Sequence, residues 1–252
     1  MPSLRAPFLR EITLQDQLVR ERGAFPFNLP CFAAGFEVAL REPVTFVLGE
    51  NGAGKSTLLE AIALGCGFSP LGGSRNQGGG YMTPIDPNDP DSGTDDLPEE
   101  SLARALRFSW LPKVTKGFFM RAESFFDLTR YLADGDVLHT MSHGEAFLNF
   151  MNARFGEHRR AIYILDEPES ALSPARQLEF LRLVERWHRS GNVQAIIATH
   201  SPILMAYPRA QVLLLDEFGW REAQWRETSH YAIYKRFLND PEAQIERWLA
   251  EE

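Results

Sequence analysis

Nine residues constrain the fold of this chain more than any others: Gly49-Glu50-Asn51-Gly52-Ala53-Gly54-Lys55-Ser56-Thr57. They fit G-x-x-x-x-G-K-S/T, the pattern of a phosphate-cradling P-loop. The apolar, β-branched run Pro43-Val44-Thr45-Phe46-Val47-Leu48 before them reads as a buried strand, and Leu58 to Leu64 after them as a helix. In a strand–loop–helix setting, successive backbone N–H groups and the positive end of the helix converge on one anion. Lys55 is placed to reach the β- and γ-phosphates, and the Ser56 hydroxyl to bind Mg²⁺. Gly49, Asn51, Gly52, Ala53, Gly54, Lys55, Ser56 and Thr57 are therefore the expected phosphate-binding set.

A second buried strand, Ala161-Ile162-Tyr163-Ile164-Leu165, ends in Asp166-Glu167. Burying either carboxylate without a partner costs several kcal/mol, so the pair implies a use. Downstream of a P-loop, the economical reading is a Walker B site. Asp166 holds Mg²⁺, and Glu167 orients or activates the attacking water. A third buried run, Val193 to Thr199, ends at His200, where the carboxyl ends of parallel strands collect ligands. His200 reads there as a γ-phosphate sensor. Thr140-Met141-Ser142-His143-Gly144-Glu145 opens an apolar helix and presents a further set of N–H groups suited to phosphate.

Phe8–Gln15 and Phe36–Leu40 read as short strands, Leu102–Leu111 as a helical turn and strand, and Pro174–Arg189 as an amphipathic helix opened by proline. Gln211–Leu215 with the Gly219 turn reads as a closing strand or hairpin. Residues 116–126 read as an aromatic connection whose phenylalanines fill a small helical subdomain. The Gly-, Pro- and Asp-rich stretch of about 67–98 buries little and reads as a mobile loop. The tail divides into two helices at Asn239-Asp240-Pro241, with Trp248 and Leu249 expected against the body. Phe25 or Phe27 offers an aromatic face for adenine. A length of 252 residues allows one domain: a core lobe of about 1–66 and 158–252, the loop, and a helical subdomain of about 99–157.

The net charge of −8 supplies no overall field toward nucleic acid or anionic membrane, which leaves Arg154, His158, Arg159 and Arg160 as the local basic run. Two cysteines, Cys31 and Cys66, lack C-x-x-C spacing and suggest a reducing compartment. With neither a signal-peptide core nor a membrane-length apolar run, the expectation is a soluble cytoplasmic protein.

The order of these parts resembles the ATP-binding cassette (ABC) ATPases over nearly the whole chain. Met141-Ser142-His143-Gly144-Glu145 resembles their Leu-Ser-Gly-Gly-Gln signature. Asp166-Glu167-Pro168-Glu169-Ser170-Ala171-Leu172-Ser173 resembles the Walker B and D-loop run, and His200 the switch histidine. The Ser-His-Gly-Glu turn and Ile196-Ile197-Ala198-Thr199-His200-Ser201-Pro202 look like stand-alone AAA/ABC-like ATPases related to RecF and SMC heads. The separation of Ser56 from Ser142 leaves no room for a long coiled coil.

The resemblance implies an α/β P-loop NTPase head: a mostly parallel core sheet, N-terminal antiparallel strands and a small helical subdomain. It implies ATP and Mg²⁺ as cofactors and a head-to-tail homodimer that sandwiches ATP. In that dimer Ser142, His143, Gly144 and Glu145 act in trans, and Ser170, Ala171, Leu172 and Ser173 form the D-loop. His143 stands where the signature has glycine, Ser173 where the D-loop has aspartate, and Glu123 is the nearest substitute for the Q-loop glutamine. The function implied is an ATP-driven conformational switch in DNA maintenance or defence, loaded by DNA or a protein partner. Two alternatives stand beside it: the ATP-binding subunit of a membrane transporter, and an ATP-gated partner-binding module with slow turnover.

Overall fold

The computed structural model describes residues 4–69, 72–74, 98–121, 143–216 and 219–250. Six strands form the main sheet: β3 (Val44–Gly49), β5 (Gly117–Arg121), β6 (Ala161–Asp166), β7 (Val193–Ala198), β8 (Gln211–Asp216) and β9 (Gly219–Glu222). Their order is β5-β6-β7-β3-β8-β9, parallel throughout except for the β8–β9 hairpin. Every residue of β3, β6 and β7 is buried, as a parallel sheet covered on both faces requires. A second, antiparallel sheet has the order β2 (Glu37–Ala39), β1 (Leu9–Leu14), β4 (Leu106–Trp110).

One face of the main sheet carries α1 (Lys55–Cys66), α2 (Pro98–Ala105) and the antiparallel sheet, packed through Leu59, Ile62, Phe68, Phe32 and Ile12. The other face carries α3 (His143–Arg154), α4 (Pro174–Ser190) and the one-turn α5 (Pro202–Met205). Trp187 is fully buried there, its indole N–H donating to the Phe155 carbonyl at 2.9 Å, with Tyr163 and Phe180 against it. Truncating such a residue costs about 3–5 kcal/mol.

Two buried glutamines join the sheets. Gln194 on β7 accepts from the Phe8 and Leu9 amides at 2.9 and 2.8 Å and donates to the Leu9 carbonyl at 2.8 Å. Gln211 on β8 accepts from the Arg41 amide at 2.9 Å and donates to the Ala39 carbonyl at 3.0 Å.

The expected strands at the N-terminus, the helix of α4 and the closing hairpin are all present. Three details differ from expectation. The aromatic stretch read as a connection contains β5, the edge strand of the main sheet, so Phe118 and Phe119 are buried in that sheet's cores. Lys116 before it and Arg121 as its last residue hide a strand only five residues long. Within the stretch read as a helical subdomain, β4 and β5 are sheet strands. In the stretch read as a mobile loop, Gly73 is fastened to the edge of the sheet, exchanging two backbone hydrogen bonds with Phe119 at 2.8 and 3.1 Å.

The tail forms α6 (Ser229–Asn239) and α7 (Pro241–Leu249), with the Asp240 side chain capping α7 through the Ala243 amide. Trp248 and Leu249 do not meet the body: they are 77% and 72% exposed. Among the described residues no helix is long and apolar enough to cross a membrane.

Candidate functional site

β3 ends at Gly49, β6 at Asp166, and β7 two residues before His200, so all three motifs come to the carboxyl end of one sheet. The loop from Glu50 to Gly54 turns the chain from β3 into α1, and no side chain caps the first turn of that helix. Gly54 has φ +102°, and a Cβ there would lie 2.8 Å from the buried Cys31 Sγ. A larger residue is excluded by both conformation and space. Burial pushes the Cys31 thiol up to about 12, so it acts as packing under the loop.

A cavity of about 390 Å³ opens over the loop, lined by Phe25, Leu29, Asn51, Gly52, Gly54, Lys55, Ser56, Thr57 and Glu167. Lys55 is buried and donates to the Gly49 and Glu50 carbonyls at 2.8 and 3.1 Å. Burial lowers its pKa, against the pull of Glu167, Asp166, Glu50 and Glu169. Phe25, half-exposed, belongs to the cavity wall, whereas Phe27 packs against the core beneath.

Asp166 is 7% exposed, and its Oδ1 has no hydrogen-bond partner among the described residues. Burial raises its pKa, while Ser56, Arg121 and Lys55 pull it back. Arg121, opposite it on β5, places Nε 3.6 Å from Asp166 Oδ2 and bonds Glu60 at 2.7 Å. An orphaned buried carboxylate oxygen beside a serine hydroxyl is a donor set suited to a hard divalent cation. These two ligands and the water and phosphate oxygens such an ion retains make a site without any cluster of three acids or histidines, and none occurs among the described residues.

Glu167 takes the left-handed conformation, φ 49° and ψ 53°, with its amide donating to the Ala198 carbonyl at 3.0 Å. Its Oε1 lies 3.4 Å from His200 Nε2. The His200 amide donates to Glu169 Oε1 at 2.6 Å, and the Ser201 hydroxyl to Gln177 Oε1 at 2.5 Å. The first bond ties the turn after β6 to the turn after β7, and the second ties α4 to that same turn. In the run expected to form a D-loop, the Ser170 hydroxyl donates to the Glu167 carbonyl at 3.0 Å, Leu172 is buried, and Ser173 caps α4. Ala171 packs against the core of that face.

Ser142 and Glu123 lie outside the described residues. His143 is the first residue of α3, and Gly144 stands against the chain's own Ala171, a Cβ there falling 3.2 Å from the Ala171 carbonyl oxygen. Gly144 and Glu145 do not line the P-loop cavity.

Four contributors were given no role by the sequence: Arg121, Gln177, His230 and, although it sits inside the Asp166–Ser173 run, Glu169. His230, in the first turn of α6, puts Nε2 3.0 Å from His200 Nδ1, and its neighbour Ser229 reaches Glu50 at 3.3 Å. Their partners lie many residues away, and a single sequence carries no signal for them.

A second cavity of about 420 Å³ lies at the opposite, amino-terminal ends of β5 and β6, lined by Lys116, Arg154, His158, Arg159 and Arg160 among others. Among the described residues none of these five makes an ion pair.

Comparison with known proteins finds two family models along the chain. One, described as "AAA domain", matches residues 27–97. The other, described as "AAA domain, putative AbiEii toxin, Type IV TA system", matches residues 147–206. No curated protein matches in sequence. Among solved structures, an ABC transporter in an inward-facing conformation is 17% identical with a TM-score of 0.50, covering 90% of this chain and 88% of its own. The SMC head domain from Thermotoga maritima is 14% identical with a TM-score of 0.46, covering 86% and 98%.

Proposed function

We propose that this chain, which has the fold of the ABC-type P-loop ATPases, hydrolyses Mg-ATP as a head-to-tail homodimer and uses the cycle as a conformational switch on DNA. The observation that carries this reading is the meeting of Lys55, Ser56, Asp166, Glu167 and His200 at one end of the sheet, around a cavity floored by an uncapped helix N-terminus.

In this reading the amides of residues 51–57 and Lys55 bind the phosphates, exchanging the Gly49 and Glu50 carbonyls for phosphate oxygens on Lys55. Ser56 and Asp166 would hold Mg²⁺, which when bound would supply positive charge against that developing on the phosphates. Glu167 accepts the proton of the attacking water, and His200 donates to the γ-phosphate. Phe25 stacks on the base. Ser142, with the Gly144 amide, His143 and Glu145, faces the γ-phosphate of a second copy, because Gly144 turns to its own D-loop and away from its own cavity. Glu123 contributes in the Q-loop position. Nucleotide binds the closed pair better and so biases closure. The unpaired basic cavity supports DNA as the load.

The test is the mass in solution of Glu167→Gln, which retains binding and metal coordination but loses the base. Two copies with Mg-ATP and one without are expected. A monomer in saturating Mg-ATP sinks the sandwich.

A further inference from the structure

The first C-terminal helix meets the nucleotide site through the Ser229 contact with Glu50 and, more closely, through a histidine pair. His200 is held by its backbone to Glu169 and faces Glu167 with Nε2 at 3.4 Å. His200 Nε2 is buried and makes no hydrogen bond among the described residues, and the group nearest it is a carboxylate, which can only accept and so favours a proton on Nε2 over a lone pair. Nδ1 is then a bare lone pair that needs a donor. The atom facing it is His230 Nε2, at 3.0 Å. His230 Nδ1 is buried and has no partner among the described residues, which suits a lone pair there and the proton on Nε2. Thr228 caps α6 through the Tyr231 amide, so the ring is set by a helix start and not by a loose tail.

The electrostatics agree. Burial lowers both imidazoles below the ordinary histidine value. For His200, Lys55 and His230 lower it further, while Glu167 and Glu50 oppose. For His230, Glu50 opposes the burial and Lys55 adds to it. A neutral pair has one donor and one acceptor between its facing nitrogens, the combination that a 3.0 Å contact requires.

We propose that His230 is a positioning residue for His200: its Nε2–H holds the tautomer that directs Nε2–H of His200 toward Glu167, and so makes α6 a working part of the nucleotide site. The hydrolytic part of this rests on the ATPase reading above; the hydrogen bond does not. The pairing has a mechanical consequence. A displacement of α6 by a side chain's width removes the donor, and His200 is then free to take the other tautomer, which presents a lone pair to phosphate oxygens instead of a hydrogen.

The experiment compares wild type with His230→Phe, which keeps a ring without the N–H, and His230→Gln, whose amide restores a donor near the Nε2 position. Imidazole ¹⁵N spectra of the free protein at neutral pH read the His200 tautomer directly. The Nε2–H form is expected in wild type and His230→Gln, and a mixture in His230→Phe. In Mg-ATP, kcat of His230→Phe is expected to fall by roughly 10-fold or more, the size of an outer-shell effect on a histidine, with ATP affinity unchanged and His230→Gln recovering most of the rate.

An unchanged tautomer with an unchanged kcat in His230→Phe overturns the proposal. If wild type hydrolyses no ATP, the functional reading fails by itself, and the spectra alone decide the histidine bond. Should His230→Phe fail to fold, His230→Asn takes its place, since its amide is too short to reach His200.

Discussion

Glu167 is the one non-glycine residue with positive φ among the described residues, and that conformation costs of order 1–3 kcal/mol. Its amide is tied to Ala198, its carbonyl accepts from Ser170, and its carboxylate is thrown back toward His200. The preceding Asp166 carries the opposite burden. Burial raises its pKa, so the folded state disfavours the ionised form. Stability is therefore withheld at neutral pH and returns as pH falls through the folded-state pKa toward the ordinary carboxylate value. Asp166→Asn should then be at least as stable as wild type at neutral pH, with a Tm equal to or above that of wild type. It should also lose the rise in Tm that the proposed function predicts for wild type in Mg-ATP. Thermal melts with and without Mg-ATP check both, and a lower Tm for the free variant would mean that Asp166 is structural. Lys55, Asp166 and Glu167 are legible in sequence because their chemistry depends on neighbours along the chain. Glu169, Gln177 and His230 act on partners 31, 24 and 30 residues away, and those partners exist only after folding.

Elements were legible where local chemistry punctuates them. Asp240-Pro241 divides the tail because the carboxylate caps one helix while proline cannot continue the other. β5 was hidden because five residues, preceded by one cation and ending in another, give too short a pattern, although its backbone completes the edge of the main sheet. The apolar residues of α6 and α7 specify helices without specifying what covers them, and so the expected contact of Trp248 and Leu249 does not form. The sheet-to-sheet joint is equally silent in sequence. Gln194 is an isolated polar residue in a buried strand, and it satisfies two amides and a carbonyl of the antiparallel sheet. Gln194→Ala leaves all three without partners, at about 1–3 kcal/mol each when buried. Tm should fall by roughly 6–12 °C for a loss of about 3 kcal/mol. A melt within experimental error of wild type would show that this joint contributes little.

At the scale of the molecule, charge is divided between the two ends of the sheet. The chain carries a net −8, yet the cavity at the amino ends of β5 and β6 gathers Lys116, Arg154, His158, Arg159 and Arg160. Contact with a phosphate backbone would be local and strongly screened, because overall charge repels it. Retention on duplex DNA should weaken steeply with added salt, and Arg159→Ala with Arg160→Ala should reduce the slope of log affinity against log salt by about 2. Retention that ignores salt, or a slope untouched by the double substitution, removes DNA from this cavity.

The strand order has a consequence in time. β3, which delivers the P-loop, lies between β7 and β8, and Phe46 pairs with Ile197 and Val212, residues synthesised about 150 positions later. At roughly 5–20 residues per second on the ribosome, the loop is made about 7–30 s before either flanking strand exists. The phosphate cradle is thus among the first pieces translated and among the last to be walled in. If Asp166, Glu167 and His200 act on nucleotide as proposed, a nascent chain cannot use them until translation has passed His200, and topology alone delays a complete grip to that point.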